Sequence, residues 1–381
     1  MKRYLWVCVT TAIVSLFIFW LPFWTNQSEI WGIKLNEPSL KTVIANYDGM
    51  NFLVVARSWY QPDIIAERYS SMVGERGVRY FAAHYPLYAM VIWFFDLFTS
   101  GDVAILLSII LSNLILATSL YYFFVTFLKN KKIATISAII ALFFPARMLT
   151  VRSVGSNEPI FIALVLASLI AYNKNKDWLA AMLGAMATLT RSPGILLFFS
   201  YLITIMLRKE SWRSKLRSTL PYLMMPAALI GLWAYFGYAY GDPLAYFKVG
   251  GNINLIFPPF AVFGTGNDWV SGFWLEDIVF TYAYYLVGII MLWVNYKKYA
   301  NIESVLNFGL IYMISTWFIA HRDIARYSLP LLPLATLGYI SNISLNKKWL
   351  LLLILLLPIY LLGWNFVNNN MAPIADWTPF I

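Results

Sequence analysis

The chain has 381 residues, of which 60% are hydrophobic and only 12% are charged, and its formal net charge is +10. Soluble domains are about 45–50% apolar and about 25% charged, so this composition excludes a soluble enzyme or binding module, and it also excludes intrinsic disorder. A single cysteine, Cys8, and two histidines exclude an intramolecular disulfide and argue against a metal centre built from Cys or His. We therefore predict a polytopic membrane protein whose positive charge meets membrane lipids rather than nucleic acid.

Apolar runs of about membrane-spanning length follow one another along the chain. They predict an all-α fold of about eleven transmembrane helices, at residues 4–24, 103–127, 132–148, 159–173, 178–190, 193–207, 219–239, 278–296, 304–320, 328–342 and 349–366. The first run follows Met-Lys-Arg-Tyr without a small-residue cleavage site, so we interpret it as a retained anchor. A charge followed by Pro-Gly at 190–194 divides the fifth run from the sixth. No internal repeat is visible, which predicts one domain over residues 1–381.

Residues 80–99 are also apolar, but we interpret them as an interfacial or re-entrant helix rather than as another span. With this choice, every short loop assigned to the inner side carries Lys or Arg, as the positive-inside rule requires. The N-terminus is then cytoplasmic and the C-terminus external, in a multi-pass protein of the cell membrane or, in a eukaryote, of the endoplasmic reticulum. Most polar residues fall outside, above all in a long first external loop at 25–102, so we expect the chemistry on this face.

Asp48 lies in this external loop, in the stretch Asn46-Tyr47-Asp48-Gly49. An apolar stripe at helical spacing follows from Phe52 to Trp59, which predicts an amphipathic helix lying on the membrane surface. Asp48 at the start of this helix has two compatible interpretations. It caps the helix, as Asp commonly does, or it is a general base that takes a proton from a sugar or lipid hydroxyl.

Four further polar residues on the external side are candidate substrate contacts. His84 and Tyr85 open the 80–99 segment, where the imidazole could donate to a phosphate or sugar, although a lone interfacial histidine commonly has only a structural hydrogen bond. Arg152 and Glu158 flank the next external turn. Helix capping and the helix dipole explain this turn locally, whereas an ionisable side chain that enters an apolar helix indicates function.

Arginines supply the clearest candidate site for an anionic ligand. Arg191, at the junction of two short helices, is costly in a membrane unless it lines a polar cavity, and a guanidinium is suited to forked contacts with phosphate. A structural ion pair with Glu158 is the alternative. His321, Arg322 and Arg326 form a second cationic cluster, which is either a solvated turn or part of a phosphate site.

Five stretches of the sequence resemble PIG-V-type mannosyltransferases, which belong to the GT-C class of polytopic glycosyltransferases. They are YDGMNFLVVARSWY, HYPLYAMVIWFFDLF, FFPARMLTVRSVGSNEPIFIALVLASLIAY, WLAAMLGAMATLTRSPGILL and ARYSLPLLPL. The resemblance implies a GT-C module over about residues 1–240, followed by C-terminal helices at 278–366. The chain departs from the family pattern at Tyr47, where the family has Trp, at 157–159, where it has Ser-Glu-Ser, and at Ser192, which stands between the motif's Arg and Pro.

The resemblance implies a glycosyltransferase that moves a hexose, with mannose favoured, from a polyprenyl- or dolichyl-phosphate sugar to a lipid-linked, glycan or protein acceptor on the external face. Asp48 corresponds to the family's catalytic base, and Glu158 and Arg191 correspond to other motif residues. The donor phosphate would lie near Arg191, Arg322 and Arg326, and the acceptor would attack with inversion. Arginines can activate a monophosphate leaving group alone, so we expect no cofactor; a divalent metal held by the external acids stays open but is not favoured.

Two other classes of function stay open from the sequence. A secondary transporter or lipid-linked-sugar flippase would have paired broken helices in two related halves and acids along a proton path. The sequence has one clear break, at 190–194, and its apolar runs carry no acid near their middle. A structural subunit of a membrane complex would need no polar cavity, and the large external loops argue mildly against it.

Overall fold

A computed structural model of the chain describes residues 2–35, 39–73, 77–249, 255–264, 266, 271–342 and 347–370. Within these ranges the regular structure is helical, as the sequence predicts, apart from one antiparallel hairpin of β1 (Glu29–Ile30) and β2 (Ile33–Lys34). The hairpin turns at Trp31 and Gly32, which both have positive φ, as tight hairpin turns require. The predicted external C-terminal tail, at 371–381, lies outside the described residues.

The α-helices range from single turns to elements of membrane-spanning length. In chain order they are α1 (Lys2–Trp24), α2 (Leu40–Ala45), α3 (Gly49–Ser58), α4 (Pro62–Arg68), α5 (Ser70–Val73), α6 (Pro86–Asp96), α7 (Gly101–Leu128), α8 (Lys131–Phe143), α9 (Arg147–Arg152), α10 (Glu158–Asn173), α11 (Asp177–Thr190), α12 (Leu196–Met206), α13 (Trp212–Thr219), α14 (Met224–Tyr240), α15 (Gly272–Val294), α16 (Glu303–Thr316), α17 (Ile324–Tyr327), α18 (Leu332–Asn342) and α19 (Leu356–Asn370). Turns of 3₁₀ helix lie at Asn46–Asp48, Val78–Ala83, Ser192–Ile195, Leu220–Leu223, Ala245–Lys248, Ala261–Gly264, Tyr296–Lys298, Leu329–Leu331 and Lys347–Leu355. Each predicted apolar run coincides with one or more of these helices.

Among the described residues, five helices are long and apolar enough to cross a membrane by length and composition. They are Lys2–Trp24, Gly101–Leu128, Trp212–Tyr240, Trp274–Val294 and Leu351–Asn369. Shorter apolar helices, α10 among them, lie between these elements. The helices support a multi-pass membrane protein, while the number of spans and the orientation of the termini stay predictions.

The apolar segment 80–99 is not one continuous helix. A 3₁₀ turn at Val78–Ala83 precedes α6, and the extended residues His84 and Tyr85 separate the two. The 11 residues of α6 rise about 16 Å, which is shorter than the hydrocarbon core of about 30 Å. Helices α12 and α18, which lie in predicted spans, are equally short, so the assignment of 80–99 as a segment that does not cross the membrane stays a prediction.

A cysteine at position 129 tests this topology. In a Cys8→Ser background, Lys129→Cys places a thiol in the basic loop after α7, where Lys129 is exposed. We expect membrane-impermeant maleimide to label it only after the cells are opened, because the positive-inside rule assigns this loop to the inner side. Gln27→Cys, in the exposed turn after α1, is the matched control and should be labelled in intact cells. Labelling of position 129 in intact cells would contradict the predicted topology.

Helix α3 differs from the predicted surface helix. Phe52, Leu53, Val54, Val55 and Ala56 are all buried, and α3 packs against α6. The residues between the apolar stripe positions are apolar as well, so the helix has no broad polar face to turn toward water or headgroups. The prediction of an amphipathic helix on the membrane surface is therefore wrong for this segment.

The central helix α10 links the two ends of the bundle. Almost all of its residues are buried, and it packs against α7 and α11. Its first residue is Glu158, and at its other end Asn173 Nδ2 donates to the carbonyl of Ala300 at 2.8 Å. Because α11 returns from Asp177 to Thr190, Arg191 lies at the same end of the bundle as Glu158.

Candidate active site

Two glycines bring the loop of Asp48 against the turn that precedes α10. A Cβ on Gly49 would lie 2.0 Å from the carbonyl oxygen of Ile44 and 3.1 Å from Cα of Gly155. A Cβ on Gly155 would lie 2.5 Å from Cα of Gly49. No larger residue fits at either position without a shift of the backbone, and this close approach places Asp48 beside the first turn of α10.

The backbone at Asp48 is in the left-handed region. Tyr47 has φ 50° and Asp48 has φ 76°, a conformation that is uncommon outside glycine and that clusters at functional sites. Asp48 occupies the N-cap position of α3, but its side chain makes no capping hydrogen bond. The interpretation of Asp48 as a helix cap is therefore wrong, since the carboxylate points to other partners.

The Asp48 carboxylate has three polar neighbours. Its Oδ1 accepts a hydrogen bond from Asn51 Nδ2 at 3.1 Å and lies 3.6 Å from His84 Nε2, and its Oδ2 lies 3.8 Å from Arg326 Nη2. Burial alone raises the pKa of this carboxyl, but His84, Arg326 and Asn51 together hold the pKa well below its usual range. The side chain is still 33% exposed, so a substrate hydroxyl can reach it.

Glu158 is the second carboxylate of the site, and it is sealed from solvent. Its side chain is 1% exposed. Oε1 accepts hydrogen bonds from Arg326 Nε at 2.5 Å and from Arg191 Nη1, and Oε2 accepts one from Ser156 Oγ. Arg326 therefore lies between the two carboxylates and joins Asp48 to the start of α10.

Arg191 follows the break that the sequence predicts. Helix α11 ends at Thr190, Arg191 is extended, and the 3₁₀ turn at Ser192–Ile195 precedes α12, so the prediction of a broken helix is confirmed. The side chain pairs with Glu158, donates from Nη1 to Asn157 Oδ1 at 3.3 Å, and lies 5.2 Å from the ring centroid of Tyr327. Within the described part of the chain, Nη1 makes the hydrogen bonds of the Arg191 side chain, so Nε and Nη2 can serve an anionic ligand.

Arg326 packs against a stack formed by Tyr47, Phe366 and Arg147. The Arg326 guanidinium lies 4.1 Å from the ring centroid of Tyr47, whose ring stacks on Phe366 of α19 with centroids 5.6 Å apart. Arg147 Nη1 donates to the Tyr47 hydroxyl at 2.8 Å and lies over the other aromatic ring of the stack. Sequence reasoning missed Arg147 and Phe366. Arg147 lies two residues after Pro145 and inside the predicted apolar run 132–148, and an arginine near a helix-breaking residue in an apolar stretch is the signal that singled out Arg191.

His84 and Tyr85 lie at the edge of the cluster that Asp48, Glu158, Arg191 and Arg326 form. His84 is 5% exposed, and in the described part of the chain its Nδ1 is buried without a hydrogen-bond partner. Tyr85 is 2% exposed and its ring packs 5.1 Å from that of Tyr246. The Tyr246 hydroxyl in turn is hydrogen-bonded to Ser192 Oγ at 2.8 Å, so this aromatic pair reaches the turn that follows Arg191.

The three predicted residues of the 321–326 loop separate in the structure. Arg326 enters the cluster, whereas the Arg322 side chain is exposed and the Arg322 carbonyl accepts a hydrogen bond from Trp274 Nε1 at 2.9 Å. His321 Nδ1 accepts from the Asp323 amide at 3.0 Å. Burial and the positive charges of Arg322 and Arg326 lower the pKa of His321 despite the opposing charges of Asp323 and Asp48, which favours the neutral imidazole at pH 7.

Arg152 is not part of the cluster. It is fully buried, and its guanidinium donates to the carbonyls of Leu142 and Ala12, to Asn113 Oδ1 and to Ser15 Oγ. These acceptors belong to α8, α1 and α7, so Arg152 ties three helices together. A guanidinium whose donors are all directed at buried protein acceptors is typical of a structural arginine, and this placement gives no support to the predicted substrate contact.

No group of three or more His, Cys, Asp or Glu side chains in the described ranges could hold a metal ion. The cluster contains two carboxylates, Asp48 and Glu158, and both lie against arginines. Guanidinium groups therefore face both carboxylates of the cluster.

A known protein family matches part of the chain. Residues 83–236 match the family model described as dolichyl-phosphate-mannose-protein mannosyltransferase. The match supports the GT-C class. It covers less than half of the chain and includes His84, Glu158 and Arg191, while Asp48 and Arg326 lie outside it. Among curated proteins, none matches the chain, and the resemblance to the PIG-V type stays a prediction.

Proposed function

We propose that the protein is a membrane glycosyltransferase that transfers a hexose, with mannose favoured, from a polyprenyl- or dolichyl-phosphate sugar to a lipid-linked, glycan or protein acceptor. One observation carries this proposal: Asp48, a solvent-reachable carboxylate, lies beside the buried ion-pair cluster of Arg326, Glu158 and Arg191. A base next to phosphate-binding cations is what transfer from a phosphate-linked sugar needs. The family match supports the same reaction class.

Asp48 and Glu158 take different roles in this proposal because their surroundings differ. Asp48 is 33% exposed and meets Arg326 at 3.8 Å, whereas Glu158 is 1% exposed and bonds both Arg326 and Arg191. Only Asp48 can meet an acceptor hydroxyl, so it takes the proton as the hydroxyl attacks the anomeric carbon with inversion. Glu158 holds the two guanidinium groups in place, and these stabilise the phosphate as its bond to the sugar breaks.

The donor itself prepares Asp48 as a base. In the free protein the pKa of Asp48 is held well below its usual range, which makes a weak proton acceptor. A phosphate that binds Arg326 and Arg191 offsets part of their positive charge, and a nearby negative charge raises the pKa of a carboxyl. Donor binding therefore brings Asp48 closer to the pKa that catalysis requires.

An apolar cleft offers a place for the donor lipid. It has a volume of about 340 Å³ and is lined by aromatic and aliphatic side chains of α15, α16 and the 260–263 segment, among them Phe260, Tyr282 and Trp317. Helix α16 leads from this cleft into the loop of Arg326, and Tyr312 on α16 donates to the carbonyl of Tyr327 at 3.0 Å. We assign the cleft to the isoprene units next to the phosphate.

A transfer assay with labelled donor tests the proposed function. The purified full-length protein in lipid nanodiscs is incubated with radiolabelled polyprenyl-phosphate mannose and a lipid extract, and label is followed into products that resist mild acid. We expect transfer from the polyprenyl donor and none from a nucleotide sugar, because the site offers arginines for one phosphate. Movement of intact donor across a liposome membrane without covalent transfer would instead identify a flippase.

Arg191→Lys tests the contact with the donor phosphate. Lysine keeps the charge that pairs with Glu158. It lacks the planar guanidinium fork, which can bind two phosphate oxygens at the same time. We expect the KM for the polyprenyl donor to rise about tenfold or more, on the scale of one charge-assisted hydrogen bond, while the protein elutes as a single species. Unchanged KM and kcat would show that Arg191 only neutralises Glu158.

A further inference from the structure

A second cleft lies at the end of the bundle opposite the Asp48–Glu158 cluster. It has a volume of about 500 Å³ and is lined by residues of the α10–α11 turn and of α13, including Lys176, Trp178 and Arg217. The 16 residues of α10 separate this turn from Glu158 by about 24 Å. The cleft is therefore one helix length away from the proposed active site and is independent of it.

The charged groups of this cleft favour an anion. Lys176 and Arg217 are both exposed, so neither charge is buried in the protein. The acid of the cleft, Asp177, accepts a hydrogen bond from the Tyr222 hydroxyl at 2.7 Å. Lys215, two residues before Arg217 on α13, donates to the carbonyl of Met206 at 2.6 Å, and Lys176 and Arg217 are the two cations that line the cleft.

The surroundings of the cleft are apolar and exposed. Trp212, Leu216 and Leu220 are 63%, 50% and 57% exposed, and their spacing places them on one face of α13 and its continuation. Trp178, at the rim, is 67% exposed. Exposed tryptophans beside lysine and arginine are typical of residues at the boundary between the lipid tails and the headgroups.

We propose that this cleft binds the headgroup of an anionic phospholipid in the leaflet opposite the Asp48–Glu158 cluster. The phosphate lies between Lys176 and Arg217, and the acyl chains follow the exposed stripe of Trp212, Leu216 and Leu220. Charge complementarity sets the occupant, because a zwitterionic headgroup offers the two cations no net negative charge. The apolar stripe distinguishes a lipid from a free phosphate ion, which would gain nothing from it.

Native mass spectrometry of the purified full-length protein with added phosphatidylglycerol or phosphatidylcholine tests this site. We expect the wild type to retain phosphatidylglycerol preferentially. Each Lys or Arg near an anionic headgroup contributes about fivefold in affinity, so Lys176→Gln with Arg217→Gln should weaken retention of the tightest phosphatidylglycerol by about 30-fold, and each single variant by about fivefold. Both side chains are exposed, so the thermal unfolding midpoint should not change.

Lys297→Gln with Lys298→Gln is the matched control, because it removes two exposed charges from the same end of the bundle but outside the cleft. We expect this control to change retention by less than about threefold, within the effect of one unpaired surface charge. Equal losses in both double variants would show diffuse attraction and overturn the proposal. Retention that is unchanged in Lys176→Gln/Arg217→Gln, equal retention of phosphatidylcholine, or displacement of the lipid by inorganic phosphate would overturn it as well.

Discussion

Replacement of Asp48 with asparagine is expected to slow sugar transfer by about 10²- to 10⁴-fold, the usual contribution of a general base. Asparagine keeps the volume of the side chain and tolerates the left-handed backbone of this position, so the loop should keep its conformation. The donor phosphate is bound by other residues, so the affinity for polyprenyl-phosphate mannose should change little. Initial rates and donor KM in nanodiscs measure both quantities.

Asp63→Asn is the matched control for this variant. Asp63 lies in the same predicted external loop and is exposed at the first turn of α4, so its replacement removes one carboxylate without touching the cluster. We expect wild-type rates from it. Transfer by Asp48→Asn within about threefold of wild type, well short of the general-base effect, would rule out Asp48 as the base.

The pH dependence of sugar transfer tests the role of Asp48 in a second way. Asp48 acts only when deprotonated, so activity is lost as pH falls through its pKa. In the free protein that pKa lies below the usual range, so the acid limb of kcat/KM should lie below about pH 4. If the bound phosphate offsets the charge of Arg326, the pKa of Asp48 is higher in the donor complex than in the free protein. The acid limb of kcat then lies at higher pH than that of kcat/KM. Coincident limbs would contradict the proposed effect of the donor on Asp48.

Glu158→Gln is expected to destabilise the protein by about 3–5 kcal/mol, because it removes one partner of a buried ion pair. Glu158 is 1% exposed and accepts hydrogen bonds from both Arg326 and Arg191, so the substitution leaves Arg191 without its charge partner and the buried Arg326 with Asp48 alone. Sugar transfer should be lost together with stability. A lower apparent unfolding temperature in detergent and the loss of label transfer are the measurements.

The same substitution at an exposed pair provides the control. Glu210 lies 3.7 Å from Arg208, and both side chains are more than one third exposed, so Glu210→Gln should change stability by less than about 1 kcal/mol. The double variant Glu158→Leu/Arg191→Leu removes both charges of the buried pair, which is often tolerated. We expect it to regain part of the lost stability, since Arg326 still lacks Glu158, without regaining transfer. Recovery of transfer would show that Arg191 serves only as a partner for Glu158.

Several site residues could be recognised from the sequence because their local chemistry is unusual. Arg191 is followed closely by Pro193 and Gly194, a pattern that predicts a broken helix with a charge at the break, and the structure has both. Glu158 precedes Pro159 at the start of an apolar run, and it begins α10. These signals are local, since they depend on residues within one or two turns of each other.

Other assignments depended on contacts between distant parts of the chain. Arg152 and Arg191 are both arginines beside apolar runs, yet Arg152 is buried among acceptors of three helices and Arg191 faces Glu158. Arg326 and Arg322 stand four residues apart, and only Arg326 enters the cluster. Nothing in the local sequence separates the members of these pairs, because the acceptors that decide their roles lie far away along the chain.

Apolar length, helix-breaking residues and the placement of charges act locally, so the class of the molecule and the positions of its helices could be predicted without knowledge of the fold. The folded structure shows that Asp48 is not a helix cap and that α3 is buried. It also shows that Asp48, Glu158, Arg191 and Arg326 form one cluster. The physical reason is the close approach of Gly49 and Gly155, a backbone contact between distant segments that sets which charges meet.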